Sequence, residues 1–384
     1  MLGPGHVWTG GAQVCVTIAR MGRSWFAIGD PQTTFERFLG ILAGQDMLDS
    51  QRRLRPEFGL VSIGDHFDFY SHDKKSLDET GRDGIEILRW LASHAPDQVV
   101  ILLGNHDTSR VMELAYESDE TFAAARALAA DCMTEQPPGE KTREFTERFP
   151  RIPTPEVAHR DYSAFAVEQR TLVQELLLSG RVHLACLGQC DGKPVLLTHA
   201  SVTLTQVAQL GVEPNAAAIV EALEVHLRGA VARVRGAWEK REVAALVLEP
   251  LHSAGHGGRE GGGLLYHRAS QNEDPTGDSK PIARRKFAPS ELPRGLVQVQ
   301  GHCGHHKCRL ELAPWLGPAA IARERGGLRT LAAGASRISY DGGIAPARDD
   351  EATVYFIDIE MNFSNLPDYP LFQLDSVDAP GAQP

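Results

Sequence analysis

An α/β fold built on a parallel sheet is the architecture this sequence predicts, and three observations point to it. Short apolar runs rich in Val, Ile and Leu recur through the first third of the chain. A stretch with helical periodicity separates each run from the next, the alternation that produces parallel pairing through crossover helices. Each run also ends at once in a Gly-Asp or Gly-Asn pair. Open α/β sheets bind ligands beyond the carboxyl ends of their strands, where loops present polar groups over a rigid apolar floor.

The clearest of these units is Val99-Val-Ile-Leu-Leu-Gly-Asn-His-Asp107, a buried strand that delivers Asn105, His106 and Asp107 as candidates for chemistry. Upstream, residues 1–23 hold only a short apolar run, Val14 to Ile18, expected to be at most an edge strand or an ordered arm. Trp25–Ile28 is a strand ending in Gly29-Asp30-Pro31-Gln32. Thr33 followed by Glu36 predicts a capping box, and Phe35, Phe38, Leu39 and Leu42 recur at helical spacing after it. Leu60–Ile63 is the second strand, delivering Gly64-Asp65-His66-Phe67-Asp68, with His66 and His72 as loop residues. A helix over Ile85–Leu91 stops before Pro96.

From residue 113 to 180 the pattern becomes Ala- and Leu-rich, broken by Pro137-Pro138 and the cluster Pro150–Pro155, and predicts a helical insertion or cap. Strands resume over Val182–Leu187 and Pro194–Thr198, the latter ending in His199, and helix is expected from there to about Leu248. Residues 252–283, rich in Gly, Ser, Asp and Asn, predict a long mobile loop bordering the site. Leu296–Gln300 alternates like a strand and delivers Gly301-His302-Cys303-Gly304-His305-His306. Thr353–Glu360 is a late strand, and the Pro-rich tail after Pro370 is expected to be poorly ordered.

A chain of 384 residues can bury one large or two ordinary cores, and the continuous strand grammar favours one elaborated domain over 1–384. The net charge of -11 leaves no basic footprint for nucleic acid. Anionic substrates then need local help, for which metal cations are one source. Six cysteines, at 15, 132, 186, 190, 303 and 308, are too scattered for a disulfide scaffold and suit a reducing, cytoplasmic setting. No secretory leader pattern and no apolar run of about 18–20 residues is present, so no membrane partner is expected.

Five strand ends thus present, in order, Asp30/Gln32, Asp65/Asp68, Asn105/His106, His199 and His302/His305. Oxygen and imidazole donors in this number suit a pair of divalent cations such as Mn²⁺, Fe²⁺ or Zn²⁺. On these residues the chain resembles the calcineurin-like metallophosphoesterases, whose pattern is Asp-x-His, Gly-Asp-x-x-Asp, Gly-Asn-His-Asp/Glu, a lone His and Gly-His-x-His. The resemblance spans roughly residues 25–310, and Gly64–Asp68 followed by Gly104–Asp107 is its most specific part.

The resemblance implies a four-layer α/β/β/α metallophosphoesterase sandwich, with 113–180 as the insertion. It implies that Asp65 bridges two metals, Mn²⁺ foremost, with Asp30 and Gln32 completing the first site and Asn105, His199 and His302 the second. His106 would protonate the leaving oxygen, oriented by Asp68. Two cations about 3.5–4 Å apart can hold a bridging hydroxide that attacks a phosphate ester in line. The implied substrate is a phosphorylated small molecule, a nucleotide or a phosphoprotein.

Departures from the pattern narrow this expectation. Gln32 stands where the family usually has His, as in certain Mn²⁺-dependent ADP-ribose hydrolases. Gly304 displaces His305 and His306 from the usual second histidine, a feature of the protein-phosphatase and diadenosine-tetraphosphatase branch, which Thr198–Ala200 and Tyr340–Gly343 also resemble. The Arg that branch carries after its second Asp is Phe69 here, which leaves Arg110 as the candidate for binding substrate phosphate.

Other readings of these residues are weaker. Cys303 and Cys308 with Cys186 and Cys190 could form a zinc knuckle, but neither pair has Cys-x-x-Cys spacing. His159-Arg160-Asp161 lacks the other kinase signatures, and Gly261–Gly263 lacks the Gly-Lys-Ser/Thr of a phosphate cradle. A non-catalytic binding protein with an incomplete first metal site is the alternative from another functional class.

Overall fold

The computed structural model of the chain describes residues 22–69, 76–135, 139–272, 284–364, 369–378 and 380; Val14–Ile18 and His72 lie outside them. The first strands are β1 (Ser24–Ile28), β2 (Phe58–Ser62) and β3 (Val99–Leu102), and they pair in parallel. Helices α1 (Phe35–Gly44) and α2 (Leu77–Ala92) connect them, so the alternating pattern was sufficient to place this part of the chain. The cap of α1 is Thr34, whose side chain accepts from the Arg37 amide, one residue later than the Thr33/Glu36 pattern predicts. Helix α2 begins two turns before Ile85, because Ser76 and Glu79 form a reciprocal capping box. A short helix, α3 (Asn105–Ser109), follows β3 directly.

The insertion contains α4 (Asp119–Thr134), α5 (Glu140–Arg148) and a π-helical turn at Val157–Asp161. Leu114, Phe122, Phe145, Ile152, Tyr162 and Phe165 form a small core of its own. The next helix, α6 (Val167–Leu178), instead turns Leu172, Val173, Leu176 and Leu177 into the main core.

The run 182–187, expected to be one strand, is two. β4 (Val182–His183) extends the first sheet beside β3, whereas β5 (Ala185–Cys190) belongs to a second sheet. The break frees backbone N–H groups, and the buried Glu224 carboxylate takes them up, accepting from Leu184 N at 2.8 Å and Ala185 N at 3.3 Å. After β6 (Lys193–Thr198) come α7 (Leu204–Leu210) and α8 (Ala216–Glu239), which carries Glu224. Helix does not continue to Leu248. Arg241 adopts a left-handed φ of 60° after Glu239, and the following segment runs non-helically with Leu246, Leu248 and Leu251 buried.

The described part of the expected mobile loop, 252–272, is packed rather than mobile. Strands β7 (His252–Ser253) and β8 (Gly262–Gly263) pair with each other, and β9 (Arg268–Ala269) pairs with β10 (Lys286–Phe287). The apolar Leu264-Leu265-Tyr266 anchors it, each residue at most 6% exposed. Next come β11 (Val297–Gln300), α9 (His305–Glu311), α10 (Pro318–Ala322), β12 (Arg329–Ala333), β13 (Ile338–Gly342) and β14 (Ala352–Phe356). The described part of the tail after Pro370 forms strands, contrary to expectation: β15 (Phe372–Leu374) pairs antiparallel with β1, and β16 (Ser376–Asp378) with β5.

The result is a mixed α/β structure with a five-stranded sheet, β15-β1-β2-β3-β4, and a seven-stranded sheet, β13-β12-β14-β11-β6-β5-β16. Alternate residues of both sheets meet in one apolar cluster that includes Ala27, Val61, Val100, Val195, Val299 and Tyr355. The opposite faces of the strands bury Leu60, Val99 and Leu196 in a core they share with α1, α2, α6 and α8. Strands β6, β11 and β14 run parallel, so their carboxyl ends lie together. No described helix is long and apolar enough to cross a membrane, and the five described cysteines are free thiols.

The tail completes the edges of both sheets and places Phe372 and Leu374 between them. Phe372→Ala is therefore expected to cost roughly 3–5 kcal/mol in urea unfolding. Gln373→Ala, exposed on the same strand, should change stability by less than about 0.5 kcal/mol. Equal effects of the two substitutions would contradict this packing role.

Candidate metal centre

Each candidate residue follows a strand end, and sharp backbone turns aim it. Asp65, Asp68 and His302 hold φ values of 57°, 62° and 63°, a left-handed conformation uncommon outside glycine and concentrated at functional sites. Two glycines make room for carboxylates. A Cβ at Gly104 would sit 2.0 Å from Asp65 Oδ1, and one at Gly301 would sit 1.9 Å from Asp30 Oδ1, so neither position admits a side chain without displacing them.

Asp65, His199 and His302 form a buried group whose donor atoms lie within 4.8 Å of one another, an arrangement that could hold a metal ion. His199 Nδ1 donates to Ile63 O at 2.8 Å, which in the neutral ring leaves Nε2 with its lone pair. That atom faces Asn105 Oδ1 at 3.0 Å and Asp65 Oδ2 at 3.4 Å. Three acceptors directed at one another need a proton or a cation between them. Burial would lower the His199 pKa, but the Asp65 charge and the bonds to its ring raise it to about 10. The mixture of carboxylate, imidazole and carboxamide oxygen fits a borderline divalent cation.

The structure brings most of the predicted residues to one cavity of about 260 Å³. Asp30, Gln32, Asp65, Asp68, Asn105, His106 and His302 line it, and His199 lies fully buried beneath Asp65. Asp30 accepts from His302 N at 2.9 and 3.1 Å, joining the two sheets at the site, and burial with the nearby Asp358 pushes its carboxyl well up. Gln32 Nε2 donates to Phe67 O and Asp68 O, at 2.9 and 3.2 Å, so its amide oxygen is the end available to a cation.

His106 Nδ1 meets Asp68 Oδ2 at 3.0 Å, and its Nε2 lies 3.8 Å from Asp65 Oδ2. Burial opposes its protonation, but Asp65 and Asp68 raise its pKa above the ordinary value. Burial would likewise raise the Asp68 carboxyl; the Arg110 guanidinium at 2.6 Å and His106 instead hold it down.

Several predicted residues lie elsewhere. Arg110, expected at the substrate, is fully buried and off the cavity wall; it bonds Asp68, Gln169 Oε1 and the His106 carbonyl. Asp107 serves the backbone, accepting from Gly104, Asp65 and His66 amides at 2.8–3.0 Å. His66 is a loop residue as expected but fully buried, with its ring between Ser62 Oγ and Asp107. His305 points away from the cavity, to Tyr340 Oη and the Ala320 and Arg323 carbonyls, so it cannot complete a metal site there, whereas His306 lines the wall. The four cysteines proposed as a knuckle do not cluster: Cys186 lies between the sheets, and Cys303 and Cys308 lie in a separate core.

The sequence offered little sign of the rest of the wall. The insertion supplies Val157, Asp161 and Tyr162, and the 252–272 segment supplies Glu260, Tyr266 and Arg268; Arg285, Lys307 and Arg325 add further cations. Arg268 Nε donates to His302 Nε2 at 3.2 Å, and the Arg268 charge lowers the Lys307 pKa. Two close cations above an acidic floor attract an anion. These basic residues are scattered over a short strand, a helix and loops, without a spacing that could mark them beforehand.

The chain matches no protein-family model and no curated protein. Among solved structures it is similar to a cold-active protein tyrosine phosphatase, at 12% identity over 92% of this chain and 78% of that one, with a TM-score of 0.39. It is also similar to a single-substitution mutant of a cold-active protein tyrosine phosphatase, at 12% identity, 92% and 80% coverage and a TM-score of 0.38. At these values the likeness carries no argument about fold or chemistry.

Beneath the wall, burial lifts the Glu113 carboxyl from its usual 4.5 to about 7. A raised carboxyl pKa stabilises the fold below the unfolded value and loses that contribution as pH rises through the folded one. Urea unfolding should therefore show the stability of Glu113→Gln, relative to the unmodified protein, improving between pH 4.5 and 8. The gain should be at most about 3 kcal/mol. A difference that does not change with pH would show that Glu113 is not held neutral.

Proposed function

We propose that this protein is a metal-dependent phosphoesterase of the calcineurin-like kind, with its two sheets and flanking helices forming a four-layer α/β/β/α sandwich across a single domain. The observation that carries this reading is the convergence of Asp65, His199 and His302 with Asn105 Oδ1, buried beneath a cavity that Arg268 and Lys307 also line. Asp65, Asn105, His199 and His302 would hold one divalent cation, and Asp30, Gln32 and Asp65 a second, with Mn²⁺ the best match to the donors. When bound, such cations neutralise phosphoryl oxygens and make water nucleophilic at neutral pH.

The chain's own residues supply the remaining steps. Arg268 and Lys307 hold the anionic group of the substrate at the wall, the role the sequence suggested for Arg110. His106, whose protonated form Asp65 and Asp68 favour, gives its proton to the departing oxygen. Asp68 fixes the His106 ring through Nδ1, and Arg110 fixes Asp68 from below. The substrate is a phosphorylated small molecule, nucleotide or phosphoprotein whose leaving group meets the insertion and the 252–272 segment. The cytoplasm is the setting that suits the scattered thiols.

Two outcomes test this reading. Purified protein should bind Mn²⁺ and hydrolyse a generic aryl phosphate, and Asp65→Asn should remove most of both, because one carboxylate serves the whole cluster. Metal binding without turnover would favour the non-catalytic alternative, and unchanged stoichiometry and turnover in Asp65→Asn would overturn the assigned centre. His106→Ala should keep its metal while losing about 10²–10⁴-fold in rate, most for poor leaving groups. A uniform loss across leaving groups of widely different pKa would exclude His106 as the proton donor.

A further inference from the structure

Tyr162 and Tyr266 come from segments 104 residues apart, yet their buried hydroxyls bond each other at the cavity wall. Each ring meets a different site histidine edge-on. Tyr162 packs on His106 at a centroid distance of 5.7 Å and 90°, and Tyr266 on His302 at 6.1 Å and 82°. The parallel continues two residues along each segment. After Tyr162, the Ala164 amide donates to Asp68 Oδ1 at 3.1 Å. After Tyr266, Arg268 Nε donates to His302 Nε2 at 3.2 Å.

One hydroxyl pair therefore links a segment that braces the proton-donor half of the site, His106 and Asp68, to a segment that braces the anion- and metal-binding half, His302 and Arg268. Buried phenols also make poor acids. Burial raises both pKa values well above the ordinary range, so the pair stays a neutral hydrogen bond. A second tie secures the same segment, since Glu113 Oε1 accepts from Gly255 N at 3.1 Å.

We propose that Tyr162 and Tyr266 act as a positioning pair, whose shared hydroxyl bond holds the two halves of the site in register. The proposal rests on the phosphoesterase reading of this site. Neither tyrosine touches reacting atoms; each acts through the histidine and the charged partner beside it. A misplacement of about 1 Å at a site of this kind can cost orders of magnitude in rate, so one peripheral hydrogen bond can have a measurable effect.

The test uses Tyr162→Phe, Tyr266→Phe and the double variant, which keep both rings and remove the bond. Tyr340→Phe is the control, because its hydroxyl bonds His305 in a core away from the cavity. With p-nitrophenyl phosphate and saturating Mn²⁺, each single variant should lose roughly tenfold in kcat with little change in KM. The double variant should lose no more than either single one, since all three lack the same bond. Amide hydrogen exchange should quicken over 255–268 in all three, and Tyr340→Phe should change neither readout.

Full kcat in the single variants, or losses that multiply in the double, would overturn the pair while leaving the phosphoesterase reading intact. If the unmodified protein hydrolyses no phosphate ester, that reading fails and the pair loses its catalytic role with it. Unchanged exchange over 255–268 in the variants would overturn the tie independently of any activity.

Discussion

The structure is organised around one buried polar cluster. His199 Nε2 is buried 3.0 Å from Asn105 Oδ1 and 3.4 Å from Asp65 Oδ2, and both oxygens are acceptors aimed at that one nitrogen. Such an arrangement is unfavourable unless something positive lies among the three, and the surrounding chain prevents it from relaxing. Asp107 ties down the Asp65 amide, Gly104 lets the Asp65 carboxylate approach, and the Ile63 carbonyl commits the far side of the His199 ring. The His302 amide is held in its left-handed turn by both oxygens of Asp30. A geometry held this firmly is a preorganised seat for a positive group.

That seat requires two sheets in fixed relation, and the chain secures the relation at several points. The bonds from His199 to Ile63 and from His302 to Asp30 cross between the sheets at the site itself. The tail adds β15 to one sheet and β16 to the other. Glu224 takes up the amides at the point where the chain passes from the first sheet to the second. Between the sheets lies an apolar layer, whose close packing makes their relative position resistant to small shifts.

Charge is layered over this frame. The floor of the cavity is acidic, with Asp30, Asp65 and Asp358, and Arg268, Arg285, Lys307 and Arg325 stand among its walls. Glu260 pairs with Arg285 and Glu360 with Arg325, so Arg268 and Lys307 are the basic groups that would face an anion held over a cation at the acidic floor. The buried pair of Arg110 and Asp68 lies below the wall, where Asp68 meets His106 at the reacting face. Arg110 thus shapes the site from beneath it.

Much of the frame was legible in the sequence because it is local. The first three strands and the helices between them follow from continuous apolar runs, a period of 3.6 and capping residues, which act over a few positions. The polar clusters after the strands were legible for the same reason: a parallel arrangement sends Asp30, Asp65, Asn105, His199 and His302 to the same edge whatever the intervening chain does. What the sequence could not express is which long-range partner each group finds. Arg110 and His305 have the chemistry of ligands, but burial commits one to Asp68 and the other to Tyr340 and backbone carbonyls. The tail after Pro370 carries few order-promoting signals of its own, and becomes strand because two sheet edges need a partner. Arg268 in the wall and the Tyr162–Tyr266 bond are in place because the insertion and the 252–272 segment fold back over the strand ends. Such contacts join residues far apart in the chain, and only tertiary packing decides them.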